Sequence, residues 1–476
     1  MGPRRSECRV PVVRPRQREG VLVYQGIRGI AKNPFPAGGT TCENAVWEWV
    51  PGLDVRPLRI LWVKADKLLP VHNGGNIRSY HIARRLGSRH QLTFLSYYGG
   101  VRDTGYETEL GRLFPAAVCI CTGKRGQTPL SRGLDYLLRL PLAPPYAVSR
   151  FAFAPVRQAL RKWFDERSFD VAVCDFLDAA VNFPPHLVIP TVLFQHNVET
   201  EIWRRHVLTD PSQIKKLVYG IEFLKMLRYE RTRVQRSHHV IAVSDHDKRL
   251  MTAWVDARRI TVVPTGVDLE QYKPEPPSQP PKPLVMFVGA MDWEPNVDAV
   301  EYFCRDVWPA ITAAVPEARF RIVGRNPGRR VQSLAADAIE VTGSVPSVVD
   351  HLRQAAVAVV PLRIGGGTRL KIYEAMAAGK AVVSTSVGAE GLDVHHGRDI
   401  LLADGAPAFA DGVVALLRDH GLRAHYEQAA AKLAAQYDWP AIGDKFGNVL
   451  ESVAKQDPSR QEGVAAGKSR RVDRGS

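Results

Sequence analysis

Residues 357–385 read VAVVPLRIGGGTRLKIYEAMAAGKAVVST. An apolar, β-branched run from Val357 to Pro361 meets the glycines Gly365, Gly366 and Gly367. A stretch with helical spacing follows, ends at Gly379, and gives way to a second apolar run from Ala381 to Thr385. Strand, glycine loop, helix and strand make the repeating unit of a parallel sheet, because parallel neighbours need a crossover that a helix supplies. Thr368 is the expected N-cap and Gly379 the expected residue just past the helix end. That reading puts Arg369 and Lys371 in the first helical turn, where the macrodipole disfavours cations. A bound phosphate would reverse the sign of this cost by accepting from both the N–H groups and the side chains. Glu374 lies three residues after Lys371 and shares its face, while Leu370, Tyr373 and Ala377 can turn to the core. The plain alternative is a glycine turn beside a surface Lys-Glu pair.

The same alternation extends in both directions. Upstream, β-rich runs at Leu58 to Val63, His90 to Ser96, Ala116 to Cys121, Asp170 to Cys174, Thr191 to Gln195, His239 to Val243 and Ile260 to Pro264 are separated by helical patterns. A second series runs through Leu284 to Val288, Ala318 to Val323, Ile339 to Val341, the pair already described, and Ile400 to Ala403. The fold class is therefore α/β, with two doubly wound Rossmann-like domains. The proline-dense segment EQYKPEPPSQPPKP between them reads as a stiff linker, since proline continues neither a helix nor a central strand. The expected division is a flexible extension over 1–56, a first domain over 57–270, a linker over 271–283, a second domain over 284–438, a C-terminal helix over 439–455 and a disordered tail over 456–476.

Composition bounds what such a chain can do. Apolar residues at 45% and charged residues at 24% of 476 positions exclude a disordered or fibrous chain. No apolar run is long enough to span a bilayer and no leader pattern opens the chain, so a cytoplasmic location, peripheral on the inner membrane face, is expected. The six cysteines make no C-x-x-C pair, which argues against disulfides and structural zinc. Charge is unevenly placed. Residues 57–270 hold 31 Lys/Arg against 20 Asp/Glu, a net +11, while residues 271–455 hold 19 against 21, a net −2. Only the first domain is set up to meet an anionic surface, expected to be membrane, with Arg84, Arg85, Arg89, Lys215, Lys216, Lys225 and Arg228 as its contact face. No compact basic stripe interleaved with aromatics marks a nucleic-acid groove.

In doubly wound sheets, ligands bind where strand-to-helix loops expose N–H groups at the strands' carboxyl ends. Besides the Gly365 loop, two such places stand out. Gly74 and Gly75, after the first strand, would allow close approach to the backbone. His196, after the strand Thr191 to Gln195, would bring an imidazole there as a candidate catalytic group, although a lone histidine is more often a satisfied structural one. Neither G-x-G-x-x-G nor G-x-x-x-x-G-K-[ST] occurs, so dinucleotide redox chemistry and P-loop hydrolysis lack their fingerprints.

Taken together, the segments LPVHNGGNIRSYHIARRL, FQHNVETEIW, IAVSDHDKRL, ITVVPTGVDLEQYKP, FVGAMDWEPNVDAVEYF, RIVGRN, VTGSVPSVVDHL and IGGGTRLKIYEAMAAGKAVVSTSVGAEGL resemble the family 4 glycosyltransferases of the GT-B fold, over about Leu58 to Val453. The resemblance implies two domains facing across a cleft and a nucleotide-sugar donor held by the second. It also implies a glycan or lipid-linked acceptor presented by the first, retention of configuration, and no metal or other cofactor. Relatives commonly build polysaccharides on lipid carriers. Family members carry two glutamates separated by seven residues and use the second on the donor ribose, a position matched by Glu374. The first falls at Gly366, leaving the backbone of Gly366 and Gly367 to serve there. The family also places an Arg and a Lys after the strand FVG, on the donor diphosphate. Here Ala290 and Asn296 occupy that region, so Arg325, Arg369 and Lys371 are the candidates for the missing charge. A nucleotide-sugar epimerase of the same fold and a non-catalytic nucleotide-sugar-binding protein are the competing readings.

Overall fold

The computed structural model describes residues 56–456 apart from 72, 124–134, 137, 140–143, 210–211, 275–281 and 365–368. The expected extension, most of the proline-rich linker, the tail, and the loop residues Gly366, Gly367 and Thr368 therefore lie outside the described residues.

The first sheet contains β1 (Arg59–Ala65), β2 (Gln91–Tyr98), β3 (Val118–Cys121), β4 (Val171–Asp175), β5 (Thr191–Phe194), β6 (His239–Ala242) and β7 (Ile260–Val262). The second contains β8 (Leu284–Val288), β9 (Arg319–Val323), β10 (Ile339–Gly343), β11 (Val357–Val360), β12 (Ala381–Ser384) and β13 (Leu401–Leu402). Their orders, β3-β2-β1-β4-β5-β6-β7 and β10-β9-β8-β11-β12-β13, are both doubly wound, and every strand pairing is parallel. The order reverses beside β1 in one sheet and beside β8 in the other, and the crevice for a ligand opens at such a switch point.

Six helices position the site: α1 (Gly74–Gly87), α2 (Glu199–Thr209), α3 (Gln213–Arg236), α4 (Glu294–Tyr302), α5 (Leu370–Ala377) and α6 (Trp439–Lys455). The first sheet is covered on both faces, which is why β1 is apolar at consecutive positions rather than alternating. Leu61 and Val63 enter one core, with Leu95, Val156 and Leu160. Ile60 and Trp62 enter the other, with Phe94, Phe194 and Phe446.

Phe446 belongs to the last helix. Its ring lies 5.5 Å from Trp62 and 5.0 Å from Phe194, and Trp439 stacks on His81 of α1 at 4.7 Å. A Cβ at Gly443 would come within 2.6 Å of Arg85, so glycine lets α6 lie directly on α1. The chain leaves the second domain and returns to roof the first. Arg85 donates to both carboxylate oxygens of Asp444 (2.6 and 2.7 Å), and Arg89 reaches the same group at 3.0 Å. Two cations expected on a lipid-facing surface are thus committed to this helix contact.

Candidate functional site

Two charged residues end apolar strands at the first switch point. Lys64 of β1 and Asp175 of β4 are partners in register, and they are 2% and 0% exposed. Asp175 accepts from the Trp62 indole at 3.0 Å, and its second oxygen pairs with His196 Nε2 at 2.8 Å. The Lys64 ammonium stands 3.4 Å away. His196 Nδ1 lies 2.8 Å from the guanidinium of Arg78 on α1. A guanidinium can only donate, so Nδ1 accepts and Nε2 carries the proton it gives to Asp175. Burial, opposed by Asp175, holds the imidazole neutral with its pKa lowered to about 3. Burial alone would raise Asp175, but Lys64 and then the bond from His196 outweigh it and keep the carboxylate well below its ordinary range. Burial also lowers Arg78 to about 10, against Asp247 and Asp175.

In this arrangement His196, the candidate catalytic group read from sequence, is enclosed by protein. The side chain is buried, both ring nitrogens are engaged by protein, and Phe176 is stacked on it at 3.6 Å. Phe176 adopts φ 68°, a conformation unfavourable for a residue with a Cβ, and holds its ring against both His196 and α1. The glycines of the α1 loop also serve a purpose other than ligand approach. A Cβ on Gly75 would stand 2.3 Å from the Phe176 ring, and one on Gly74 would stand 3.0 Å from Leu370 of α5 in the second domain. Protein side chains thus approach both positions, one within the first domain and one across the cleft.

At the second switch point, β8 runs into Gly289 and then α4. Asn296 of α4 donates to Ala290 O at 2.8 Å, and its carbonyl accepts from Lys371 Nζ at 2.8 Å. The ammonium lies 4.2 Å from the centroid of the Phe287 ring. A Cβ on Gly289 would come within 2.8 Å of Lys371 Nζ, and one on Gly324 would overlap Gly289 O. The two glycines let the loops after β8 and β9 close around the ammonium. Burial, reinforced by Arg369 and opposed by Glu374, lowers Lys371 to about 7.

Arg369 occupies the N-cap position with no side-chain capping bond, so α5 begins at Leu370, not after Thr368 as expected. Its guanidinium, nearly buried and lowered by burial to about 10, sits 5.8 Å from the Trp293 ring. Arg325 lies beside the same loop, 4.0 Å from Asp292. Burial raises Glu374 despite a hydrogen bond from the Tyr272 hydroxyl and the field of Lys371. The helix ends as expected: Gly379 has φ 70°, and Lys380 N donates to Ala375 O at 3.0 Å.

The two halves meet through a pair that sequence reasoning did not single out. Arg205 of α2 donates to both oxygens of Glu390, at 3.0 and 2.8 Å, and His246 is 4.0 Å from the same carboxylate. Next to it opens a cleft of about 690 Å³ lined from both domains, by Ser244, His246, Thr265, Tyr373, Asp393 and Lys445 among others. Lys64, Arg78 and Asp175 were also missed. The available signal was a charged residue closing an apolar strand, as in WVK and AVCD. Among the described residues, no group of His, Cys, Asp and Glu is placed to hold a metal ion, and no helix is long and apolar enough to cross a membrane.

Known proteins resemble this chain in both halves. Residues 72–271 match the model of Glycosyltransferase Family 4, and residues 282–419 match Glycosyl transferases group 1. A phosphatidyl-myo-inositol mannosyltransferase of Mycobacterium leprae is 26% identical over 333 residues, covering 66% of this chain and 82% of its own. An uncharacterised 44.6 kDa protein in the cps region of Klebsiella pneumoniae is 23% identical over 375 residues, covering 75% and 90%. The crystal structure of Anabaena Alr3699/HepE in complex with UDP and glucose superposes with a TM-score of 0.56 at 17% identity, over 83% of this chain and all of that one. Matches in both halves, together with two facing doubly wound sheets, identify the chain as a glycosyltransferase of the group 1, family 4 type, built on the GT-B fold.

Proposed function

We propose that the protein transfers a sugar from a nucleoside-diphosphate donor to a glycan or lipid-linked acceptor, with retention of configuration, in the assembly of cell-surface glycans on the inner membrane face. One observation carries this reading: the Lys371 side chain, half-buried, sets its ammonium at the carboxyl edge of the second sheet between the loops after β8 and β9. A half-buried cation whose close partners are a neutral amide and an aromatic ring, with no carboxylate in contact, is costly, and a diphosphate would remove that cost. Arg325 and Arg369 flank the same loops, and N–H groups of the Gly366–Thr368 segment would complete an anion site. Preorganised donors of this kind stabilise the charge that develops on a departing diphosphate. Glu374 would exchange the Tyr272 hydroxyl for ribose hydroxyls. The first domain would present the acceptor, with the Asp175–His196–Arg78 network fixing α1 and the loops beside it. The phosphatidyl-myo-inositol mannosyltransferase relative supports sugar transfer to a lipid-linked acceptor, and the neighbour in complex with UDP supports a nucleoside-diphosphate donor.

A panel of nucleotide sugars tests the proposal by thermal shift, since a ligand present at 100 times its Kd stabilises by about 2.7 kcal/mol. The stabilising donor is then incubated with and without glycan and lipid-linked acceptors, and the anomeric configuration of the product is read by NMR. Acceptor-dependent product with retained configuration is expected. Conversion of donor alone into its epimer, or binding with no turnover, would replace the proposal with one of the competing readings.

A further inference from the structure

Large apolar side chains at the surface are concentrated around one feature. Leu208 on α2 (61% exposed), Ile214, Leu217 and Leu224 on α3 (79, 69 and 64%) and the nearby Leu138 (66%) belong to the hairpin of α2 and α3 and the segment packed beside it. That segment is tied to α3 by Lys225, whose ammonium lies 3.4 Å from Arg139 O. On α3 the positions 214, 217, 221, 224 and 228 fall on one stripe of a helix. The opposite face carries the buried residues Glu222, Met226, Tyr229, Glu230 and Val234. The helix is therefore apolar on its solvent side as well as its protein side, a pattern that water alone does not favour.

Charge says what covers it. The sequence of α3, QIKKLVYGIEFLKMLRYERTRVQR, holds two acidic residues, Glu222 and Glu230, and both are fully buried. Glu222 is paired with Lys225, and Glu230 accepts from Gln195, Glu199 and Thr200. The solvent side presents only cations, with Lys215, Arg228 and Arg231 exposed and Lys216 half-buried. Apolar side chains flanked by cations, with no exposed carboxylate on the helix, suit the boundary of an anionic bilayer. There the leucines enter the acyl region and the cations meet phosphate headgroups.

We infer that the outer face of the α2–α3 hairpin docks the protein on anionic membrane. The inference rests on the proposed function for its purpose, because Leu208 follows Arg205 by one helical turn and Arg205 is bonded to Glu390 at the interdomain cleft. A bilayer touching this face would place a lipid-linked acceptor next to the cleft. The surface keeps the α3 part of the face expected from sequence, Lys215, Lys216 and Arg228, and leaves out Arg85 and Arg89, which are occupied with Asp444.

The test is cosedimentation of the full chain with vesicles of phosphatidylcholine alone and with phosphatidylcholine vesicles that include phosphatidylglycerol, whose anionic surface attracts nearby Lys and Arg. Three proteins are compared: the parent, L217Q/L224Q, and K216Q/R228Q/R231Q. The parent should bind only the anionic vesicles, and each variant should lose at least about tenfold in partitioning while keeping its melting temperature and its nucleotide-induced shift. K371M serves as the converse control, losing the nucleotide shift and keeping vesicle binding. A nucleotide shift present in the parent and lost in K371M, with no vesicle binding by the parent, would overturn the docking surface and leave the donor reading intact. Equal binding to both vesicle types, or unchanged binding by the two variants, would also overturn it. So would a parent dimer that L217Q/L224Q converts to monomer with vesicle binding unaffected, because the stripe would then be a contact between two copies of the chain.

Discussion

The Lys371 ammonium makes the donor site a proton-linked one. Its pKa is held at about 7 in the ligand-free protein, against 10.5 for an ordinary lysine, chiefly by burial. Between those values the unfolded chain binds a proton that the folded one does not, so stability rises with pH across the window from 7 to 10.5. Below pH 7 both states are charged, and the folded state carries the whole cost. At 1.36 kcal/mol per pH unit of displacement this is on the order of 4–5 kcal/mol, an upper bound because part of the side chain meets solvent. A bound diphosphate supplies the missing opposite charge and should restore a pKa near the ordinary value. Donor binding at pH 8 should therefore take up roughly 0.8 to 0.9 proton per site, and uptake at pH 6 should be about zero. Affinity should fall by nearly tenfold per pH unit above about pH 7.5. Isothermal titration in buffers of different ionisation enthalpy measures the uptake directly. A nucleotide sugar is the suitable probe, since its doubly esterified diphosphate has no group titrating near neutrality. K371M should abolish both the uptake and most of the affinity while melting no lower than the parent at pH 7. Donor binding with no proton uptake at pH 8, or full affinity in K371M, would refute the diphosphate role.

Three further outcomes are expected. E374Q removes a carboxyl whose pKa burial already raises, so its melting temperature should not drop, while donor affinity falls about tenfold through loss of charge-assisted bonds to the ribose; unchanged affinity would return Glu374 to a purely structural partner of Tyr272. H196A should lower the unfolding free energy by about 2–4 kcal/mol, because Asp175 and Arg78 each lose a buried partner. Nucleotide affinity in the second domain should survive that change, and a chemical denaturation curve matching the parent would contradict the buried network. E390Q should weaken the half-exposed bidentate contact with Arg205 by about 1 kcal/mol. It should also widen the distribution of domain separations seen by small-angle scattering, and an unaltered profile would show that the pair does not hold the domains together.

The strands of both sheets were legible in the sequence because parallel strands covered on two faces must be continuous apolar runs, and such runs between helical spacings have few other readings. The helix from Leu370 to Gly379 was legible for the same local reasons, apart from its first turn. Arg369 and Lys371 were recognised because cations at a helix start break a local rule, and breaks of that kind mark sites that a ligand completes. Their surroundings could not be read in this way. That Lys371 reaches Asn296, 75 residues away, depends on two sheet orders and on two glycines close enough to touch. That His196 is enclosed by Arg78 and Asp175 depends on the sheet order that sets β4 and β5 side by side and on α1 bringing Arg78 to their carboxyl ends. Phe446 illustrates the limit most plainly. Periodicity makes 439–455 a helix, but nothing in its own residues says that it crosses back to cover Trp62 of the first sheet. Local pattern specifies which face of an element is apolar; the partner for that face is decided by the rest of the chain, through shape and the exclusion of water from the final core.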